Sequence, residues 1–442
     1  TSIMQGKALN HKILEVFSNE NKDSVDIRGG VPVLEYRESV LCPYITVDMT
    51  IIDTGTATKS KDGSKGTVGI LESIKLQGTE KFKLKLEDQF GNQIDLSGED
   101  DLRLAKTMFA GKGVNQSSCS VRVVSKEAFD NLLLENRMVD SYLGRGDVII
   151  REALKSLKTE KDLFADTTKY DIQFNGDKRY PFEMCLDVQK VSIPEGIESA
   201  GFLFWETSKG YNFKSLDKMF DTTGKTIKKF EETGFADNRV SPGYDGKILK
   251  SSFLLITDML KQFEEGANKT ELDLFNPLNE EKLVYQKLDK FDYDKNSIIA
   301  GLDTPILSEE YRDEEGKAKA TLDLHRTKDV GQKIFPGGGI AGIGTTSNNN
   351  TKFDVVSTSR QSHQNYRQKF STSLNIVIDA DLSLNAGDLI FCKFPETSQK
   401  KSQLGSPKDS GIYMIADLCH YSTPTQAFTG LNLVRDSYGV KS

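Results

Sequence analysis

Four histidines are the natural place to look for chemistry, because an imidazole that titrates near neutrality is the commonest general base and metal ligand. They stand at His11, His325, His363 and His420, with no HxH or HExxH pair to face a metal ion and no GxSxG elbow to present a serine. A catalytic triad is defined by geometry and not by order, so a hydrolase stays open without any residue being named for it. The five cysteines, Cys42, Cys119, Cys185, Cys392 and Cys419, are scattered, odd in number and never spaced as CxxC. Neither a disulfide framework nor a zinc knuckle follows, and they read as buried thiols in a reducing compartment.

Weaker patterns each have a plainer explanation beside them. Asp292, Asp294 and Asn296 alternate like the first oxygens of a calcium loop, but Ser297 replaces the glycine and Asp303 the bidentate glutamate, so a solvated turn is the better reading of 292–303. Gly337-Gly338-Gly339-Ile340-Ala341-Gly342 spells GxGxxG, yet the Thr345–Asn350 run behind it cannot open the helix on which pyrophosphate would sit. Arg145-Gly146-Asp147 spells an adhesion tripeptide, and a turn into a capped helix needs the same Gly-Asp. Trp205 and its aromatic neighbours read as core or interface before they read as a sugar platform. No pair among the 65 acidic residues stands out for glycoside cleavage. Catalytic, cofactor-binding and metal-binding residues are therefore none by this reading, and no cofactor is implied.

The elements around these residues are mainly strands. At 442 residues the chain exceeds one ordinary core, and two to four domains are expected. Its 37% hydrophobic and 28% charged content is that of a globular protein, with no apolar run near the ~18 residues of a membrane span. The opening Thr1–Lys7 lacks the apolar stretch of a secretory signal. A formal charge of −7 offers no general attraction to nucleic acid. Period-two alternation marks strands at Ile45–Ile51, Lys81–Glu87 and Cys119–Val124, with Gly91-Asn92 and Gly111-Lys112-Gly113 as turns.

The pattern changes after residue 130. Asp147 is expected to cap a helix burying Ile149, Ile150, Ala153, Leu154 and Leu157, and Pro181 to open a second that buries Phe182, Cys185, Leu186 and Ile193. A hairpin is expected from Gly201–Thr207 to Tyr211–Phe213, through Ser208-Lys209-Gly210. Strand-like runs return at Phe253–Ile256 and Leu272–Phe275, around a Glu264–Gly266 break. They return again at Leu374–Ile378, Asp388–Phe394, Ile412–Ile415 and Leu431–Val434. A polar insertion of roughly 290–368, with acidic Glu309–Glu315 and the Gly/Asn-rich 337–350 tract, interrupts them.

Several segments together resemble the baseplate hub proteins of contractile-tailed phages of the T-even type, especially those infecting marine cyanobacteria. They are Leu384–Ile390, Ser410–Ile415, His420 and Leu431–Gly439. Phe204–Thr207 with Gly210–Leu216 is similar to the hub hairpin, and Glu265-Gly266 through Leu274 to a tube-domain hairpin. The resemblance implies an α+β, mainly β fold with two tube-type antiparallel β-barrels. It divides the chain into a first barrel with an N-terminal arm (1–130), a mixed middle domain (131–245), a second barrel (246–292 and 366–442) and a loop-rich insertion (293–365).

The same resemblance implies a structural subunit and not an enzyme. It would form a homotrimeric, pseudo-sixfold ring between the central spike protein and the tail tube protein, beside baseplate wedge proteins. Genomic DNA would pass through the lumen without specific binding, no membrane would be spanned, and assembly in the host cytoplasm would place the protein in the virion tail baseplate. The competing classes are a tail-associated cell-wall hydrolase and a carbohydrate-binding tail protein using Trp205.

Overall fold

The computed structural model of the chain describes residues 7–20, 24–55, 58–59, 67–69, 74, 76–98, 102–113, 116–197, 199–232, 246–255, 257–265, 270–274, 284–287, 297–304, 307–312, 314, 322–323, 343–344, 355–396, 405–406 and 408–441. Asp292–Asn296, His325 and the Gly337–Gly342 run lie outside the described residues.

Alternation builds the first part. Strands β1 (Asn10–Phe17), β2 (Ser24–Asp26), β3 (Val33–Ser39), β4 (Thr46–Asp53), β5 (Lys81–Glu87), β6 (Gln93–Leu96), β7 (Leu102–Lys112) and β8 (Ser117–Ser125) follow one another. Ile45, Val47, Met49 and Ile51, then Phe82, Leu84 and Leu86, then Cys119, Val121 and Val123, all lie inside one core, as a period-two apolar face requires. Outward positions carry cross-strand ion pairs such as Arg122 with Asp48, at 2.7 Å.

The middle is helical with small sheets. After α1 (Lys126–Asp130) and β9 (Ser141–Arg145) come α2 (Gly146–Ser156), β10 (Leu163–Ala165), β11 (Asp171–Asn175) and α3 (Pro181–Val191). The hairpin β12 (Phe202–Thr207) and β13 (Gly210–Ser215) then leads to α4 (Leu216–Met219). Proline at the first turn of α3 is where the sequence places it, because its missing N–H has no helical partner there. Asp147 is not the cap of α2. The helix starts at Gly146, and Asp147 Oδ1 accepts the Thr168 backbone N–H at 3.2 Å and its hydroxyl at 3.0 Å, a buried pairing that draws the carboxylate away from the first-turn amides.

The last part returns to strands: β14 (Lys228–Glu231), β15 (Ile248–Leu255), α5 (Met259–Glu265), α6 (Val355–Lys369), β16 (Thr372–Asp379), β17 (Leu389–Lys393), β18 (Gly411–Ser422) and β19 (Ala427–Arg435). They pair in the order β15-β16-β19-β18-β17-β14, and a bridge between Glu231 and Lys247 returns to the start of β15, closing a ring. Thr270–Leu274 does not join it. That strand pairs with Val284–Lys287 and Leu322–Asp323 in a separate three-stranded sheet. Part of the segment expected to be loop-rich is the helix α6.

One strand joins the two strand-built parts. One edge of β18 pairs with β19; its other edge pairs first with β17, through Gly411–Met414, and then with β3, through Asp417–Ser422. A register irregularity between Ile415 and Asp417 marks the changeover. Tyr413 and Ile415 point into the large core, whereas Ile412, Met414 and Ala416 pack in a second cluster with Leu203 and Trp205 of the hairpin. The first half of β18 is thus buried on both faces.

Candidate functional site: a three-way junction

The β12–β13 hairpin is wedged between two cores. Phe202 and Phe204 face the helices of the middle part, with Phe202 stacked on Phe213 at 4.5 Å and Phe204 on Tyr211 at 5.4 Å. Leu203 and Trp205 face the opposite way, onto β18 and β17. An aromatic strand buried on both sides binds two layers together, which accounts for its density of Phe, Tyr and Trp.

Trp205 meets the loop 380–388, between β16 and β17. Its indole N–H donates to the Ala386 carbonyl at 3.0 Å, and a Cβ on Gly387, whose φ is +92°, would stand 2.4 Å from the Trp205 ring. Only glycine fits there. Two segments that carry the family resemblance, Phe204–Thr207 and Leu384–Ile390, are therefore in contact. The loop also bonds to the first part of the chain, where Leu382 N–H donates to Asp88 of the β5–β6 turn at 3.0 Å, and to β18 of its own part, where Gly387 N–H donates to the Ile415 carbonyl at 2.8 Å.

Glu38 sits where these pieces converge. It continues the inward phase of Leu34 and Tyr36 on β3 and is 3% exposed. Its carboxylate accepts the Tyr36 hydroxyl at 2.6 Å, the Ser208 N–H of the hairpin turn at 2.8 Å and the Ala386 N–H at 2.9 Å. Burial pushes this carboxyl up to about 7 despite the three donors. Nearby Glu206, 1% exposed, is held differently: Lys161 Nζ lies 2.7 Å from it and 2.7 Å from Glu127, while Ser125 Oγ and the Ile45 N–H donate to its other oxygen. Burial opposes the Lys161 charge, but the two carboxylates outweigh it and hold the ammonium above the ordinary lysine range.

A second fastening lies behind the hairpin. Lys369, fully buried at the end of α6, donates to Asp436 at 2.9 Å and to the Ile298 carbonyl at 2.5 Å, and lies 3.1 Å from Asp217. Residues 300–303 are stitched to the chain after β19: Ala300 N–H to Asp436 at 2.9 Å, Gly301 N–H to Ser437 at 2.6 Å and Leu302 N–H to the Tyr438 carbonyl at 2.7 Å. Asp303, last of the calcium-like set, is held in a β-bridge with Tyr438.

The other singled-out residues fall apart in space or inside. His420 is fully buried, stacked on Tyr36 at 5.8 Å with Nδ1 2.8 Å from Thr429 Oγ1, and burial lowers it to about 3, so it stays neutral. His11 Nε2 lies 3.0 Å from Ser422 Oγ, a pairing not foreseen, but Ser422 is fully buried and out of reach of a substrate. His363 lies on α6. Asp147 of the Arg-Gly-Asp run is buried, so the tripeptide is not presented. Among the described residues no three His, Cys, Asp or Glu side chains group as a metal set. Glu38, Glu206 and Lys369 were missed from sequence; the available signal for Glu38 was an acid falling on the inward phase of a strand.

No protein-family model matches the chain, and no curated protein sequence does. Solved structures do. The 43 kDa tail protein of prophage MuSo2 from Shewanella oneidensis superposes with a TM-score of 0.51 at 9% identity, over 97% of this chain and 98% of that one. The chain shares the fold of a phage tail protein. A tail protein from Neisseria meningitidis gives 0.49 at 9% identity, over 97% of each chain. A type VI secretion system component from E. coli gives 0.37 at 10%, over 97% of this chain and 79% of that one.

Proposed function

We propose that the chain is a structural hub subunit of a contractile phage tail baseplate, three copies of which form a pseudo-sixfold ring linking a central spike to the tail tube. The observation that carries this reading is β18: it fuses two strand-built units into one sheet, in a fold followed over 97% of the chain by a prophage tail protein. Two such units per chain are what a threefold assembly needs in order to offer six docking places. The division at 1–130, 131–245, 246–292 with 366–442, and 293–365 belongs to the same reading.

Strand edges support association between copies. Among the described residues, β7 pairs with β5 at Leu102 and Arg103 and Leu104 exchanges backbone hydrogen bonds with Thr79 and Glu80; beyond Leu104 this edge is open, and Ala105–Met108 are exposed on both faces. An open edge is a template for a further strand, and a neighbouring copy would satisfy it. The partners are then the chain itself, the spike, the tube protein and baseplate wedge proteins, with DNA passing the lumen unbound; a net charge of −7 suits that passage. The location is the virion tail, after assembly in the host cytoplasm. The glycan-binding alternative has lost its platform, since Trp205 is 2% exposed and its N–H is bonded internally.

The test is the mass of the purified protein in solution with negative-stain images of the same sample. A three-chain ring of six-lobed outline is expected. A monomer that binds neither spike nor tube protein overturns the reading.

A further inference from the structure

We infer that Glu38 is a protonation-sensitive clasp, whose charge state sets how tightly β3, the β12–β13 turn and the 381–388 loop are held together. The geometry is specific. Its three hydrogen bonds come from three different segments, and two of the donors, Ser208 N–H and Ala386 N–H, are backbone groups of the pieces being joined. An ionised carboxylate is an acceptor only, so this donor set suits the anion, yet no lysine or arginine among the described residues bonds to it. Glu206 next door shows the usual solution, with Lys161 against its carboxylate. Glu38 keeps its buried carboxyl on neutral dipoles, as Glu80 and Asp88 do, but its donors lie on β3, the β12–β13 turn and the 381–388 loop, three segments that meet at this one side chain.

Its surroundings do not supply the missing cation. Tyr36 faces it from β3, Asp388 from the 381–388 loop adds a like charge, and Glu206 from β12 acts on the Tyr36 hydroxyl. Lys209 of the turn acts on Asp388. His420 of β18, stacked on Tyr36, is neutral, and Asp417 of the same strand lies opposite Ser39.

The sign follows from linkage. Folding moves this carboxyl from its ordinary 4.5 up to about 7. The closed junction therefore gains from the bound proton; that gain is complete below 4.5 and is lost as pH rises to about 7. The clasp is tighter in mild acid and looser at neutral and alkaline pH. The inference concerns the single chain and stands whether or not copies form a ring.

Hydrogen exchange with peptide readout, corrected for the intrinsic pH dependence of amide exchange, tests it on the full chain. Protection of 381–388 and of the β12–β13 turn is expected to fall by about 50-fold from pH 5 to pH 8, levelling off above pH 7. Glu38→Gln, which cannot ionise, flattens this dependence. Asp388→Asn, which removes a like charge but leaves Glu38 in place, moves the midpoint to lower pH. A flat wild-type profile overturns the inference, as does a dependence that persists in Glu38→Gln or an equal fall in β4 and β8. Should Glu38→Gln fail to fold, an unmoved midpoint in Asp388→Asn overturns it alone.

Discussion

The junction at Glu38 and the fastening at Lys369 do the same task with opposite electrostatics. Each is fully or almost fully buried, and each ties the closing strands to another part of the chain. Lys369 stands between two carboxylates, Asp217 and Asp436, so its attachment is made of whole charges. Glu38 is attached by one hydroxyl and two backbone amides. A buried charge with a counter-charge is costly to break, because removing one partner strands the other; a buried charge on dipoles can be retired by a proton. The comparison separates a permanent fastening from an adjustable one.

The largest expected effect is at the permanent one. Lys369→Met leaves Asp217 and Asp436 facing each other without a cation and should lower stability by about 3–5 kcal/mol in urea unfolding. A loss below about 1 kcal/mol would break the comparison. Gly387→Ala comes next: a methyl 2.4 Å from the Trp205 ring, at a φ unsuited to alanine, should cost about 1–3 kcal/mol, with altered Trp205 fluorescence as a second readout.

Tyr36→Phe sharpens the comparison further. It removes a donor that serves the ionised form of Glu38, so it should cost about 1–2 kcal/mol at pH 8 and less at pH 5. A cost independent of pH would remove the distinction between the two fastenings. Smallest of all, Arg122→Ala at the exposed pair with Asp48 should change stability by about 0.5 kcal/mol or less, and less again in high salt.

The strands and the fastenings differ in how far the sequence reveals them. Ile45, Val47, Met49 and Ile51 alternate in the sequence and all point inward, because a half-buried strand leaves no other register. The start of α3 at Pro181 was equally readable. Helix α6 was not. Its inward face is Thr358, Ser362, Asn365, Gln368 and Lys369, polar side chains of which several bond to distant groups: Asn365 Nδ2 donates to the Ala200 carbonyl at 2.6 Å, Gln368 Nε2 to the Asp436 carbonyl at 3.3 Å and Lys369 to the Asp436 carboxylate at 2.9 Å. A helix buried through hydrogen bonds has no apolar period to detect. The junction was half legible: Trp205 and the Leu384–Ile390 segment were singled out separately, but their contact depends on tertiary placement.

The shared strand β18 also fixes an order of events during synthesis. Ala386 and Glu38 are 348 residues apart in the chain, and β3 waits longer still for Asp417–Ser422. On the ribosome, β3 must remain with one edge unpaired until Asp417–Ser422 has been made, so the N-terminal strands cannot reach their final pairing before that segment emerges. The first strand-built part is thereby kept incomplete until the last one is available, and the two finish folding together.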